Sequence, residues 1–218
     1  MTLSDLPRFI DRWTIEYVRV YRHPIERIWR AITDPKEFGQ WFIRGEIDLK
    51  KGGAYKFLAG DFSGVVREID PPHFIRFGNA VSSGAAGYFQ YELETVTDGT
   101  RMRFVQHFPS TDIYTPTPDD LGGDIPVPGT PWKPGFVGGW HAHFDSLGDL
   151  LDDIPMGSRL PRTEFQTLAE SWAKDGRNAG ILDEKGAARL VLQFRRKERW
   201  NELNKVYRAY IREHCPPA

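Results

Sequence analysis

Tyr88-Phe89-Gln90-Tyr91-Glu92-Leu93-Glu94-Thr95-Val96-Thr97-Asp98-Gly99-Thr100-Arg101-Met102-Arg103-Phe104 carries the pattern on which the fold turns. Phe89, Tyr91 and Leu93 alternate with Gln90, Glu92 and Glu94, and Met102 and Phe104 alternate with Arg101 and Arg103. A period of two puts the apolar side chains on one face of a strand and the polar ones on the other. Asp98-Gly99 between the two runs is a hairpin signal. The same alternation occurs upstream in Tyr55-Lys56-Phe57 and Ile75-Arg76-Phe77, with turn signals at Lys51-Gly52-Gly53, Ala59-Gly60-Asp61 and Asp70-Pro71-Pro72. Residues 46–108 therefore predict an antiparallel meander with one wet face and one apolar face.

Working outward, residues 13–22 (WTIEYVRVYR) are β-branched and aromatic and predict a further strand, stopped by His23-Pro24. Pro24 suits the first position of a helix, and Ile25, Ile28, Trp29 and Ile32 form the stripe of an amphipathic helix over Ile25 to Thr33. Asp34-Pro35 repeats the cap-plus-proline signal for a second short helix, Lys36 to about Phe42. Downstream, residues 109–135 hold 7 of the 16 prolines and predict a long irregular loop, expected to cover one mouth of the interior and control access to it. From Phe136 to Asp153 a helical stripe returns with Trp140, Phe144, Leu147 and Leu151. It is the long apolar stripe available to cover the apolar face of the sheet, so the sheet is expected to curl around it.

The last sixty residues, 159–218, carry 13 Lys+Arg against 8 Asp+Glu, which makes them basic relative to an acidic 1–158. Thr163 to Lys174 predicts a helix, and Trp200, Leu203, Val206, Tyr207, Tyr210 and Ile211 mark a final one; Ala188 to Arg196 fits strand and helix equally. The run Arg195-Arg196-Lys197-Glu198-Arg199 is read as a solvated face rather than a site. The domain division is accordingly 1–157 for the α+β domain and 158–218 for a mainly helical extension.

Composition excludes several classes. A single cysteine, Cys215, allows neither an intrachain disulfide nor a zinc site built on several thiolates. A net charge of −1 over 218 residues argues against binding nucleic acid through its phosphates. No stretch approaches the ~20 apolar residues of a membrane helix, and the first residues carry no secretory pattern, so the expected setting is cytoplasmic with Cys215 reduced. There is no Gly-rich phosphate loop with Lys-Ser/Thr, and no GxSxG. What stands out is ring content: 14 Phe, 8 Tyr and 7 Trp, enough to fill a core or to line a site for an apolar ligand.

Taken jointly, His23-Pro24-x-Glu26-Arg27-Ile28-Trp29-Arg30-Ala31-Ile32-Thr33-Asp34-Pro35, Trp41-Phe42, Gly52-Gly53-x-Tyr55-x-Phe57, Glu68-Ile69-Asp70-Pro71-Pro72, Gly99-Thr100-Arg101-Met102 and Gly139-Trp140-His141-Ala142-His143-Phe144-Asp145-Ser146-Leu147 resemble the START-like (SRPBCC) helix-grip superfamily. The branch they resemble most is that of the activator of heat-shock-protein ATPase homologues. The resemblance spans roughly 13–153 and implies a curved antiparallel sheet around a long helix with a cavity between. It implies little chemistry, because this fold hosts binders, cyclases and lyases alike. Two positions depart from the pattern, both in phase with inward residues. Asn79 stands where relatives tend to carry a large aromatic, and Gln106 where they often carry histidine.

The candidate ligand-binding residues are Trp41, Tyr55, Phe57, Phe77, Phe89 and Tyr91, with Phe104, Trp140 and Phe144 opposite and the amides Asn79 and Gln106 for positioning. Tyr55, Tyr91 and Trp140 each bring a polar handle to an apolar surface. His141 and His143 form an HxH pattern, but on a helix they lie about 200° apart, so no metal is expected. His143 flanks the Trp140/Phe144/Leu147 stripe and is the first acid–base candidate; plain bonding to a backbone carbonyl is the alternative. Glu68 is the second acid–base candidate if its side chain points inward, and a surface partner of Arg67 or Arg76 if it does not. His107 falls out of phase with Phe104 and belongs to the outer face or the rim.

Three functions fit. The first is an enzyme without cofactor, performing a lyase, dehydratase, cyclase or isomerase step on a small hydrophobic, largely aromatic molecule. The second is a non-catalytic carrier of such a molecule. The third is a chaperone-associated interaction protein. A homodimer is compatible with each.

Overall fold

A computed structural model of the chain describes residues 6–57, 63–79, 87–108, 130–155 and 206–216, with Asn79 by its backbone alone and Lys174 and Asp183 as isolated positions. The elements are β1 (Arg8–Asp11), β2 (Thr14–Tyr21), α1 (Ile25–Thr33), α2 (Pro35–Trp41), β3 (Gly45–Ile47), β4 (Ala54–Phe57), β5 (Ser63–Asp70), β6 (Phe74–Asn79), β7 (Tyr88–Val96), β8 (Gly99–His107) and α3 (Pro134–Leu151). Residues 206–214 form a C-terminal helix. The strands make one antiparallel sheet in the order β1-β2-β8-β7-β6-β5-β4-β3. The meander β3 to β8 is thus consecutive, and β2 returns to pair with β8. The helices lie on its apolar face, which makes the chain an α+β helix-grip fold, as its sequence pattern predicts. No helix among the described residues is long and apolar enough to cross a membrane.

The hairpin β7–β8 turns through Thr97-Asp98, and Gly99 opens β8 at φ 135°. Glycine is needed there twice over, since a Cβ would also lie 2.1 Å from the Tyr21 carbonyl oxygen. Asp34 ends α1 and caps α2, its Oδ1 accepting from the backbone N–H of Lys36 (2.8 Å) and Glu37 (3.1 Å). Pro24 departs from expectation: it is the residue before the helix, extended at ψ 152°, and its carbonyl accepts from Arg27 and Ile28. Pro134, expected in the loop, instead begins α3, because a proline's fixed φ and missing N–H suit a first helical position.

The outer face of the sheet is an ionic ladder. Arg8 reaches Glu16, Arg103 bonds Glu16 (2.7 Å) and Glu92 (2.6 Å), Arg76 bonds Gln90 (2.8 Å), and Arg76 also holds Glu68 (3.0 Å). Burial alone would raise the Glu16 carboxyl, but the hydrogen bonds from Arg103 and Arg8 outweigh it and hold it below its ordinary range.

The same ladder settles the facing of Glu68. Val66 is buried, and strict alternation would bring Glu68 inward with it. A register shift lies between Val66 and Glu68, so both Arg67 and Glu68 emerge on the solvent side. The side chain of Glu68 is 57 % exposed against Arg76, which corrects the conditional acid–base role: its condition, an inward carboxyl, is not met.

Candidate functional site

The register sets the inner face in rows. One row runs Ile15, Gln106, Phe89, Phe77, and the next runs Tyr17, Phe104, Tyr91, Ile75. All eight side chains are buried. The α3 stripe lies across these rows. The Trp140 ring is 4.2 Å from Phe104 and 6.1 Å from Phe89, and Phe144 is 5.1 Å from Phe104 and 5.4 Å from Tyr17, centroid to centroid. Leu147 and Leu151 continue the buried face.

From the other side α2 and the short strands close in. Phe42 stacks on Trp140 at 4.8 Å and Phe38 on Phe57 at 5.1 Å, while Tyr55 meets Phe77 edge-on at 5.2 Å. Trp41 lies 6.4 Å from Phe144. Phe57, Ser63, Asn79, Tyr88 and His107 all end or begin strands at the same edge of the sheet, beside the Gln106 row. The connections between them, 58–62 and 80–86, lie outside the described residues. So does most of the expected lid, 109–129, along with the helix and ambiguous segment expected at 163–196. Residues 130–135 are described, and Trp132 there is buried against Phe108 (5.0 Å) and Phe136 (6.3 Å), its Nε1 donating to the Arg12 carbonyl at 2.8 Å.

The polar handles of the interior divide into two groups. Tyr17 OH donates to Val137 O (2.6 Å), Tyr21 OH to Phe144 O (3.1 Å), Tyr55 OH to Gly78 O (3.2 Å) and Trp41 Nε1 to Ala31 O (2.8 Å). These tie helices and strands together. In the second group are buried atoms with no hydrogen-bond partner among the described residues, of which Tyr91 OH, Gln106 Oε1 and Trp140 Nε1 belong to the aromatic rows and the α3 stripe. An unpaired buried polar atom costs about 1–3 kcal/mol, so such atoms are rare in a finished core. Burial also pushes the Tyr91 phenol well above its ordinary range, which keeps it neutral.

The two histidines of the HxH pattern diverge. His141 is buried, with Nδ1 2.7 Å from Tyr207 OH and Nε2 3.7 Å from the Asp145 carboxylate, and serves to dock the C-terminal helix. His143 faces the other way. Its half-buried ring is edge-on to Phe42 at 4.7 Å and 6.1 Å from Trp140, and its Nδ1 is 3.2 Å from Trp41 O. A carbonyl only accepts, so Nδ1 carries the hydrogen, and a neutral ring keeps its lone pair on Nε2. His107 lies at the rim, stacked on Tyr88 at 5.2 Å with Nδ1 3.0 Å from the Thr14 hydroxyl. The side chain of Asn79 lies outside the described residues, so of the amide pair Gln106 alone is placed. Trp132 had no periodic signal to mark it, whereas Tyr207 lies on the stripe that predicts the final helix.

A long helix gripped by a curved antiparallel sheet, with an aromatic interior between, defines a START-like helix-grip protein, a fold that is typically ligand-binding. Residues 22–152, more than half of the chain, match the family model "Activator of Hsp90 ATPase homolog 1-like protein", and the chain belongs to that family. No curated protein matches it. The solution structure of CalU16 from Micromonospora echinospora is similar over 93% of this chain and 92% of that one, at 19% identity and a TM-score of 0.50. A conserved protein of unknown function from Enterococcus faecalis is similar over 82% of this chain and 92% of that one, at 16% identity and a TM-score of 0.50. At such identities the likeness is one of fold.

Proposed function

We propose that the protein binds a small, hydrophobic, largely aromatic molecule between the concave face of the sheet and α3. The observation that carries this reading is the set of unpaired polar atoms, Tyr91 OH, Gln106 Oε1 and Trp140 Nε1, within an aromatic interior. A bound molecule would supply the missing partners and stack on the rings beside them. Naphthalene titrated into the protein is expected to give saturable binding by calorimetry, with matching quenching of tryptophan fluorescence. Absence of saturable binding by either method overturns the reading.

A catalytic version of this reading has its own support in His143. A ring held by the Trp41 carbonyl, with its Nε2 lone pair and two aromatic neighbours, has the chemistry of a general base for a lyase, dehydratase, cyclase or isomerase step on the bound molecule. No cofactor enters that scheme. For any aromatic compound the protein turns over, His143→Ala is expected to lower kcat by about 10²–10⁴ while affinity stays within a few-fold. Unchanged kcat rules His143 out. The chaperone reading has less behind it: of the exposed large apolar residues described, Val18 and Val20 share β2 and Ile10 lies on the neighbouring β1, while Val65 on β5, Leu49 and Val206 stand apart, which makes a small patch.

A further inference from the structure

The unpaired atoms are not interchangeable, and their chemistry specifies the molecule they would hold. Gln106 is 1 % exposed, and its Nε2 donates to Tyr88 O at 3.1 Å. A second carbonyl, His107 O, lies 3.5 Å from the same nitrogen. This fixes the amide: turning it over would set Oε1 against two carbonyl oxygens, which cannot donate. The atom left toward the interior is therefore an acceptor. Trp140, 3 % exposed, offers an indole N–H, which only donates. The two belong to one neighbourhood. Gln106 is the cross-strand partner of Phe89 on the same face, and the Trp140 ring is 6.1 Å from Phe89.

The surroundings restrict the ligand further. Beside this pair Phe89, Phe104, Phe77 and Phe42 carry no charge, Tyr55 has its hydroxyl bonded to Gly78 O, and the titratable ring nearby is His143, 6.1 Å from Trp140. A charged group brought here would lose its hydration, and apart from His143 the described side chains just named offer it no counter-ion. Stacked and edge-on rings favour a flat molecule.

Resting on the binding reading above, we infer that the ligand is a neutral planar molecule bearing an N–H or O–H donor beside a carbonyl-type acceptor, its donor on Gln106 Oε1 and its acceptor on Trp140 Nε1. Bicyclic lactams have this pattern, as do planar enols next to a carbonyl. On this reading Gln106 acts as a residue of specificity, because its acceptor selects a donor on the ligand.

Three flat, neutral bicyclic probes separate the contributions: carbostyril, a lactam with N–H and C=O; N-methylcarbostyril, with the acceptor alone; and naphthalene, with neither. Calorimetry on the full chain is expected to show that Gln106→Leu weakens carbostyril about tenfold while N-methylcarbostyril and naphthalene change less than twofold. Trp140→Phe is expected to weaken both lactams about tenfold more than it weakens naphthalene, whose own loss reports the smaller ring. Gln106→Leu removes both the acceptor without a partner and the Nε2 bond to Tyr88 O, so the thermal midpoint is expected to change little; should it fold poorly, Gln106→Met is the substitute. If carbostyril loses no more than naphthalene in these variants, the inference is wrong and the binding reading stands on naphthalene alone. If none of the probes binds the unmodified chain, both fall.

Discussion

Replacing Phe104 by alanine is expected to remove about 3–5 kcal/mol of stability, the usual cost of deleting a fully buried aromatic ring. The position explains why the loss should lie at the upper end. Phe104 sits at the centre of the inner face, with Trp140 at 4.2 Å, Tyr91 and Phe144 at 5.1 Å, and Tyr17 and Phe89 at 6.3 Å. Those partners come from β2, β7 and α3, so the hole would open where sheet and gripping helix meet. The strands on either side are held by backbone ladders, and Tyr17 OH bonds Val137 O on the helix, so the walls have little freedom to collapse into the space. For a chain of this length a loss of that size lowers the thermal midpoint by roughly 6–20 °C. Thermal unfolding followed by circular dichroism measures it. A loss below about 1 kcal/mol would mean that Phe104 is not the junction of the two layers.

The degree to which this arrangement was legible in the sequence varies with the kind of constraint. Strict alternation through Phe89, Tyr91, Met102 and Phe104 gave their facing, because a strand side chain has two directions to choose from. The same alternation put Gln106 inward, and the structure agrees. Alternation failed at Glu68, where one register shift inverts the parity and no residue type announces the shift. The strand β1 is four residues, too few to show a period. Among the polar rings, sequence could nominate Tyr55, Tyr91 and Trp140 alike. It could not say that Tyr55 is taken up by Gly78 O while Tyr91 and Trp140 are left unpaired, since that depends on which carbonyl the fold brings within reach. Trp132 was hidden for a similar reason: it follows a proline-rich stretch, and its burial comes from β1 and α3 rather than from any local pattern.

The C-terminal helix is expected to matter as much to stability as the ring cluster, although it lies beyond the residues that carry the family match. Tyr207 and Ile211 are 0 % exposed, four residues apart on one helical face, and both belong to the main core. Tyr207 OH is 2.7 Å from His141 Nδ1 on α3. Tyr210 stacks on Phe9 of β1 at 6.1 Å, and its hydroxyl donates to Pro7 O at 2.6 Å. Phe9 in turn meets Trp132 at 6.1 Å, so helix, edge strand and Trp132 form one closure over that end of the sheet. Changing Tyr207 and Ile211 together to alanine deletes two buried side chains and leaves His141, itself 2 % exposed, without its hydroxyl partner. Each large-to-small change costs about 2–5 kcal/mol, and an orphaned buried polar group adds about 1–3 kcal/mol. The two sites are neighbours, so the terms do not simply add. Even so, the expected loss exceeds about 5 kcal/mol, comparable to the whole stability of many domains. Urea unfolding should then find the double variant partly unfolded at 25 °C without denaturant. Tyr207→Phe, which keeps the ring and removes the hydroxyl, should lose about 1–3 kcal/mol and stay folded. A double variant as stable as the parent would show that the helix rests on the domain without supporting it.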